Sequence, residues 1–162
     1  MAIILITGVS GSGKTTIGER LAEALGWQFW DGDDFHPVQN IEKMRRGIPL
    51  TDRDRAPWLL AMQRAIHSWI ETHTPVVMAC SALKSSYRQI LYQPSDPVYL
   101  IYLKGSFELI QQRLNQRQGH YMKADLLKSQ FAALEEPENA LIIDISQPPA
   151  LITTQIRSAL GL

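Results

Sequence analysis

Near the start of the chain, nine consecutive residues have the types and spacing of a phosphate-binding loop. The pattern G-x-x-x-x-G-K-[ST], the P-loop, is met by Gly8, Val9, Ser10, Gly11, Ser12, Gly13, Lys14 and Thr15, with Thr16 directly after them. The glycines allow backbone N–H groups to turn inward around a phosphate, and the positive end of the following helix adds to the attraction. We expect Lys14 to reach the β- and γ-phosphates and the Thr15 hydroxyl to ligate Mg²⁺. The sequence therefore predicts binding of a nucleoside triphosphate.

Two aspartates, Asp31 and Asp33, follow an apolar segment that predicts the second strand. The third predicted strand ends in Cys80 rather than in aspartate, so these carboxylates are the expected acidic partners of Mg²⁺. On an extended segment, residues two apart point the same way. We expect Asp31 to hold Mg²⁺ with Thr15, and Asp33 to accept the proton of a substrate hydroxyl. The alternative is a solvated turn, because Asp-Gly-Asp is favourable turn chemistry.

Apolar segments and amphipathic segments alternate along the chain, as in a parallel sheet covered by helices. The predicted strands are residues 3–6, 27–30, 76–79, 98–103 and 140–145. Extra helices between the second and third strands are long enough to form a substrate pocket above the carboxyl edge of the sheet. We predict an α/β P-loop NTPase fold with a five-stranded parallel sheet flanked by helices. It forms a single domain, 1–162, with a substrate-binding insertion at about 33–73.

A basic segment interrupted by glycine lies at about 113–125, where small-molecule kinases of this fold carry a closing lid. Its cations and histidine are Arg113, Arg117, His120 and Lys123. Closure would place an arginine against the transferring phosphoryl group and exclude water. We assign Arg117 to catalysis and Arg113 to the nucleotide. The alternative is a solvated helix end. After the fifth strand, Pro148 is a candidate contact for the adenine ring.

Composition excludes several classes of protein. Of the 162 residues, 45% are apolar and 20% are charged, which is ordinary for a globular domain. Lys plus Arg and Asp plus Glu number 16 each, so no net charge favours nucleic acid or a membrane surface. No apolar segment approaches the ~20 residues that span a bilayer. The single cysteine, Cys80, excludes an internal disulfide, and we expect a cytoplasmic protein.

Several stretches beyond the P-loop resemble the bacterial gluconokinase family. They are residues 31–37, Asn40, Lys43-Met44, Gly47, Pro49-Leu50, Asp52, Asp54-Arg55, residues 57–59, residues 80–84, Tyr87-Arg88, Arg117, Gly119-His120, Gln130-Phe131 and Glu136-Pro137. The resemblance covers nearly the whole chain. It implies ATP:D-gluconate 6-phosphotransferase activity, a nucleoside-monophosphate-kinase-like fold, Mg²⁺ and commonly a homodimer.

Gluconate is a small polyol with one carboxylate, so its pocket needs cations and hydrogen-bonding groups. The candidates for substrate binding, besides Asp33, are His36, Arg55, Lys84, Arg88 and His120. Arg55 or Arg88 could grip the carboxylate bidentately, and Lys84 could act as a point charge. His36 would bind hydroxyls rather than act as a base. The alternatives are a surface cation at each basic position and a helix cap at His36.

Two other functions stay open on the sequence alone. One is a related kinase for shikimate or a nucleoside monophosphate, which Asp31 and Asp33 would allow but residues 81–84 disfavour. The other is a nucleotide-binding switch without useful turnover, although the chain lacks the Asn-Lys-x-Asp motif that reads guanine.

Overall fold

The computed structural model describes residues 2–116 and 124–162. In these ranges, five parallel strands form one sheet in the order β2-β3-β1-β4-β5. The strands are β1 (Ile3–Thr7), β2 (Gln28–Asp31), β3 (Val76–Ala79), β4 (Val98–Lys104) and β5 (Leu141–Asp144). The predicted fold class is therefore confirmed, with strand boundaries that differ from prediction by one residue or not at all.

Helices cover both faces of the sheet. They are α1 (Lys14–Leu25), α2 (Val38–Arg45), α3 (Asp52–Glu71), α4 (Ser85–Leu91), α5 (Phe107–Gln116), α6 (Ala124–Ala133) and α7 (Pro149–Leu160). Helices α2 and α3 form the extra segment between β2 and β3. None of the helices in the described ranges has the length and apolar character needed to cross a bilayer.

The central strand β1 is buried on both faces, which explains its uninterrupted apolar sequence. Successive side chains of a strand point to opposite faces. Accordingly, Ile4 and Ile6 belong to a core that includes α1 and α7, whereas Ile3 and Leu5 belong to a second core that includes α3 and α4. Strand β1 is thus fixed from both sides, and the loop that follows it starts from a rigid position.

The long helix α3 begins with a reciprocal pair of capping residues, Thr51 and Asp54. The Thr51 hydroxyl accepts a hydrogen bond from the Asp54 backbone N–H at 3.1 Å, and the Asp54 carboxylate accepts one from the Thr51 N–H at 2.9 Å. This reciprocal pair is a capping box, which satisfies two donors at the start of the helix. Asp52, on the first turn of this helix, bonds the side chains of Lys84 and Tyr87 instead.

The segment after β2 differs from the extended conformation that we expected. Residues Gly32–Phe35 form a 3₁₀ helix, because the Asp31 carboxylate accepts the Asp33 backbone N–H at 2.9 Å. The turn also packs closely against the sheet. A Cβ on Gly32 would lie 2.8 Å from the Ala79 carbonyl oxygen, and the Trp58 indole donates to the Gly32 carbonyl at 2.8 Å. The turn chemistry of Asp-Gly-Asp thus prevails over strand continuation, and it places Asp33 within the site.

Candidate active site

The P-loop joins β1 to α1 and has the backbone geometry of a phosphate cradle. Gly8, Gly11 and Gly13 adopt φ values of 154°, 80° and 95°, which L side chains rarely adopt. The Lys14 ammonium lies 3.0 Å from the Val9 carbonyl oxygen, at the mouth of the loop. The buried Ser12 hydroxyl has no hydrogen-bond partner among the described residues. These features fit a loop that receives a polar ligand.

The two predicted metal ligands meet at the edge of this loop. The Thr15 hydroxyl donates to the Asp31 carboxylate at 3.2 Å, although the residues are 16 positions apart. The second carboxylate oxygen of Asp31 accepts the Asp33 N–H. One hydroxyl and one carboxylate are a suitable protein donor set for Mg²⁺, which keeps several waters and phosphate oxygens as its other ligands. Within the described ranges, no cluster of three or more ligating side chains offers another metal site.

Asp33 lies beside Lys14 in the same cleft and has a perturbed acidity. Burial is the main cause that raises the pKa of its carboxyl group. The neighbouring Asp31 and Asp34 raise the pKa further, and Lys14 opposes them. A carboxylate with a raised pKa binds a proton more readily than an ordinary aspartate. The geometry and the electrostatics therefore allow Asp33 to accept a hydroxyl proton.

A cleft of about 990 Å³ extends from the P-loop to the inserted helices. Its walls include Asp33, His36, Arg55 and Trp58. The cleft thus brings the phosphate loop, the carboxylates and two predicted substrate residues together in one cavity, as expected for a two-substrate enzyme.

Arg55 reaches this cleft from the first turn of α3. Its guanidinium donates to the Leu50 carbonyl at 2.6 Å and to the Tyr87 hydroxyl at 3.2 Å. Two contacts leave further N–H donors of the fork for a substrate anion. The Tyr87 hydroxyl in turn forms a short hydrogen bond with the Asp52 carboxylate. Arg55 is therefore held in place by a backbone carbonyl that precedes α3 and by a side chain of α4.

Lys84 lies beside this network rather than on the cleft wall. Its ammonium forms an ion pair with Asp52 at 3.1 Å and lies 5.5 Å from the centre of the Tyr87 ring. The pKa of Lys84 is raised, chiefly by the hydrogen bond to Asp52. The structure thus pairs Lys84 with a carboxylate of this chain, next to the residues that support Arg55.

His36 stacks on Trp58, with ring centroids 4.2 Å apart and planes 10° apart. Its Nδ1 lies 3.1 Å from the side-chain nitrogen of Asn40. Burial, assisted by the charge of Arg55, lowers the pKa of His36 to about 4. The imidazole is therefore neutral near pH 7 and cannot serve as a cationic anchor.

Arg88 does not take the position that we predicted for it. Its buried guanidinium donates to the backbone carbonyls of Ala82 and Leu83, at 2.8 Å and 3.2 Å, and to that of Glu135 at 2.8 Å. It does not line the cleft. The structure thus places Arg88 as a support of the loop after β3 rather than as a wall of the cleft. Three of its five N–H donors are used by backbone acceptors in this buried loop.

A second pocket of about 300 Å³ adjoins the P-loop on the side of β5 and α7. Its wall includes Thr16 and Arg113, two of the residues predicted to contact the nucleotide. Arg113 also donates to the Ile145 carbonyl at 2.5 Å. Pro148 is not on the wall of this pocket. The neighbouring Pro149 occupies that position, because Pro148 is the residue that caps α7.

Sequence reasoning missed Gln130 as a functional residue. Its side-chain oxygen accepts the Ser10 backbone N–H at 2.8 Å, and its nitrogen donates to the Ser10 hydroxyl at 3.0 Å. Gln130 follows Leu127 by three residues and therefore lies on the buried face of α6. The available signal was a polar residue at helical spacing from the apolar Leu127. Arg117 and His120, with most of the proposed lid, lie outside the described residues.

Comparison with known proteins agrees with this geometry. Residues 10–158 match the shikimate kinase family. The thermosensitive gluconokinase of Escherichia coli strain K12 is 45% identical over 159 residues, which covers 96% of this chain and 85% of the relative. The chain belongs to the gluconokinase family.

Other members of the family are similar over comparable lengths. The probable gluconokinase of Mus musculus is 41% identical over 98% of this chain and 97% of its own length. The crystal structure of a gluconokinase from Sinorhizobium meliloti 1021 superposes with a TM-score of 0.87, at 42% identity, over 99% of this chain and 91% of that chain. Membership in the family therefore rests on nearly the entire domain and not on the P-loop alone. Kinases of this family use ATP.

Proposed function

We propose that this protein transfers the γ-phosphoryl group of ATP to the 6-hydroxyl of D-gluconate, giving 6-phospho-D-gluconate and ADP. The observation that carries the proposal is the single cleft that contains the P-loop and Asp33 together with Arg55. Such a cleft can hold a triphosphate and a small anion in line. Membership of the gluconokinase family, whose relatives bear the name of this activity, supports the choice of acceptor.

The phosphate end of the cleft supplies charge and orientation. The P-loop N–H groups and Lys14 would hold the β- and γ-phosphates, while Arg113 and Thr16 would line the nucleotide. Thr15 and Asp31 would hold Mg²⁺. When bound, Mg²⁺ neutralises charge that develops on the phosphate oxygens.

The acceptor end supplies the nucleophile. The 6-hydroxyl oxygen of gluconate attacks the γ-phosphorus as the bond from phosphorus to the β,γ-bridging oxygen breaks, and ADP leaves with that electron pair. Asp33 accepts the proton that the hydroxyl loses. The raised pKa of Asp33 supports this role.

Several of the remaining predicted site residues would bind, support or enclose the substrate. Arg55 would grip the gluconate carboxylate with its unused donors, and Lys84 would stabilise that arrangement from the rim through Asp52. Arg117 would act on the transferring phosphoryl group from a lid at 113–125, and His120 would contact the substrate when the lid closes.

We also propose that the protein is a cytoplasmic homodimer. The balanced charge and the single buried cysteine support the location, and the family resemblance supports the dimer.

An acceptor screen tests the function. ADP release is measured with Mg²⁺ and ATP in the presence of D-gluconate, shikimate, a nucleoside monophosphate or no acceptor. We expect turnover with gluconate and only a trace without an acceptor. Preference for shikimate would replace the substrate assignment, and equal ADP release under all conditions would indicate a nucleotide-binding switch. Light scattering coupled to gel filtration tests the dimer.

A further inference from the structure

Asn40 is a buried asparagine on α2 whose side-chain nitrogen has two partners. This nitrogen lies 2.8 Å from the backbone carbonyl oxygen of Asp54 and 3.1 Å from Nδ1 of His36. A carbonyl oxygen only accepts hydrogen bonds, so the Asn40 atom that faces it must be the amide nitrogen. An amide nitrogen carries two hydrogens and accepts none. Both contacts are therefore donations from Asn40.

The donation to His36 determines where the imidazole carries its proton. Because Nδ1 accepts a hydrogen bond, it has no hydrogen of its own, and the neutral ring must carry its single proton on Nε2. Stacking on Trp58 fixes the plane of the ring. Within the described residues nothing hydrogen-bonds to Nε2, and His36 lines the cleft. The ring thus has one N–H available to a ligand.

The charges around His36 maintain this neutral form. Burial is the main cause that disfavours the imidazolium and lowers the pKa of His36, and the charge of Arg55 on α3 adds to it. The ion pair of Lys43 with Asp54, at 2.9 Å, adjoins Asn40. On the preceding turn, Asp33 and Asp34 are the acidic neighbours in sequence.

We propose that Asn40 is a positioning residue that fixes His36 as its Nε2–H tautomer, so that the cleft offers a constant neutral donor to an oxygen of the sugar acid. The assignment of that oxygen to gluconate rests on the proposed function, whereas the assignment of the His36 tautomer does not. A constant donor requires an acceptor, a hydroxyl or carboxylate oxygen, at this place in the substrate. It also excludes His36 as the base, which leaves that role to Asp33.

The variant Asn40→Asp reverses the polarity of the contact. A carboxylate oxygen can only accept, so it draws the proton of the ring to Nδ1, and its negative charge raises the pKa of His36. Below that pKa the imidazolium still donates from Nε2. Above it, Nε2 becomes a bare lone pair and the donor is lost. We therefore expect the KM for gluconate of Asn40→Asp to rise about tenfold between pH 6 and pH 9, relative to the wild-type protein.

Lys43→Met is the matched control, because it loosens the same helix and leaves the contact with His36 intact. Its pH profile should parallel that of the wild-type protein. Nitrogen NMR of the unliganded proteins reads the tautomer directly. Protonated Nε2 and unprotonated Nδ1 are expected in wild type and Lys43→Met, and protonated Nδ1 in Asn40→Asp.

A second pair of variants covers the case in which Asn40→Asp does not fold. Glutamine places an N–H near the Nε2 position of histidine, whereas asparagine places it near Nδ1. His36→Gln should therefore retain more of the affinity for gluconate than His36→Asn. Protonated Nδ1 in the wild-type protein, a parallel pH profile in folded Asn40→Asp, or better binding by His36→Asn overturns the proposal. Failure of the wild-type protein to phosphorylate gluconate would instead reject the proposed function, because the NMR measurement uses no substrate.

Discussion

The two ends of the cleft are built in different ways. Most of the phosphate end is one continuous segment, residues 8–16, which offers backbone N–H groups and two side chains on the first turn of α1, and Asp31 and Arg113 adjoin it. The acceptor end is assembled from the 3₁₀ turn, α2, α3 and α4, and its functional groups are side chains that hold one another. Arg55, for example, depends on Tyr87, which lies 32 residues later in the chain.

This difference has a physical consequence. A cradle made of backbone needs only the φ values that glycine permits, so its geometry follows from local sequence. A pocket made of side chains needs each rotamer to be held by neighbours, and those neighbours come from elsewhere in the fold. We therefore expect substitutions at the phosphate end to affect chemistry, and those at the acceptor end to divide between substrate affinity and stability.

The largest effect is expected at Lys14. Lys14→Ala should lower kcat by about 10³-fold or more, because the charge on the β- and γ-phosphates would lose its nearest cation. The fold should persist, because α1 packs against the sheet through the buried residues Ile17 and Leu21. Steady-state kinetics and circular dichroism check this. Near-normal kcat in a folded variant would exclude ATP-dependent phosphoryl transfer at this loop.

The next effect separates the two carboxylates. Asp33→Asn keeps the shape and removes the basicity, so kcat should fall about 10²- to 10³-fold with little change in ATP affinity. Asp31→Asn should instead increase the Mg²⁺ concentration needed for half-maximal rate, because Asp31 faces Thr15. Measuring kcat and a Mg²⁺ titration for both variants tests the assignment. Exchanged phenotypes would reverse the two roles.

A smaller effect is expected at Arg55, on the acceptor side. Arg55→Met should raise the KM for gluconate about 10- to 100-fold, since a charge-assisted contact with the carboxylate is lost. The preference for gluconate over the uncharged polyol D-glucitol should shrink by the same factor. Arg53→Met is the matched control, because Arg53 is an exposed arginine in the same turn. An unchanged preference in Arg55→Met would show that another group binds the carboxylate.

The same contrast explains what sequence predicts and what it does not. Alternating apolar segments establish the five-stranded sheet, and the P-loop follows from its motif. The meeting of Thr15 with Asp31 was also predictable, because parallel strands bring their carboxyl ends to one edge. The roles of Arg55 and Arg88 were not separable, as both are arginines near that edge. Only the fold shows that backbone carbonyls occupy three of the five donors of Arg88 and that Arg88 lies off the cleft wall.

Local chemistry also misled in two places. Asp33 was expected on an extended segment, but the carboxylate of Asp31 caps a 3₁₀ turn there. Pro148 was expected at the adenine pocket, yet it caps α7 and its neighbour lines the wall. At Asp31 a side chain satisfies the nearby backbone first, and at Pro148 the start of α7 leaves the wall to the next residue. Tertiary contacts then determine which residue of the pair faces the cavity.

The smallest effect on activity is expected at Arg88, which supports the acceptor end of the cleft without lining it. Its guanidinium joins the loop after β3 to the Glu135 carbonyl, 47 residues later in the chain, and these carbonyls would lose their donor in Arg88→Met. Hydrogen bonds from a charged donor are among the stronger ones, so we expect a loss of about 3 kcal/mol in the free energy of unfolding. That loss corresponds to a Tm lower by about 6–12 °C for a domain of this size.

Below the transition, the KM of Arg88→Met for gluconate should stay within about twofold of the wild-type value, because Arg88 does not line the cleft. Arg64→Met, which removes an exposed arginine of α3, is the stability control and should leave the Tm nearly unchanged. Thermal unfolding and steady-state kinetics at a temperature well below both transitions separate the two quantities. A large rise in KM without a fall in Tm would return Arg88 to the substrate site. In that event two arginines, Arg55 and Arg88, would bind the carboxylate at the acceptor end. Arg88 of α4 would then be a residue that lines the cleft rather than one that supports it.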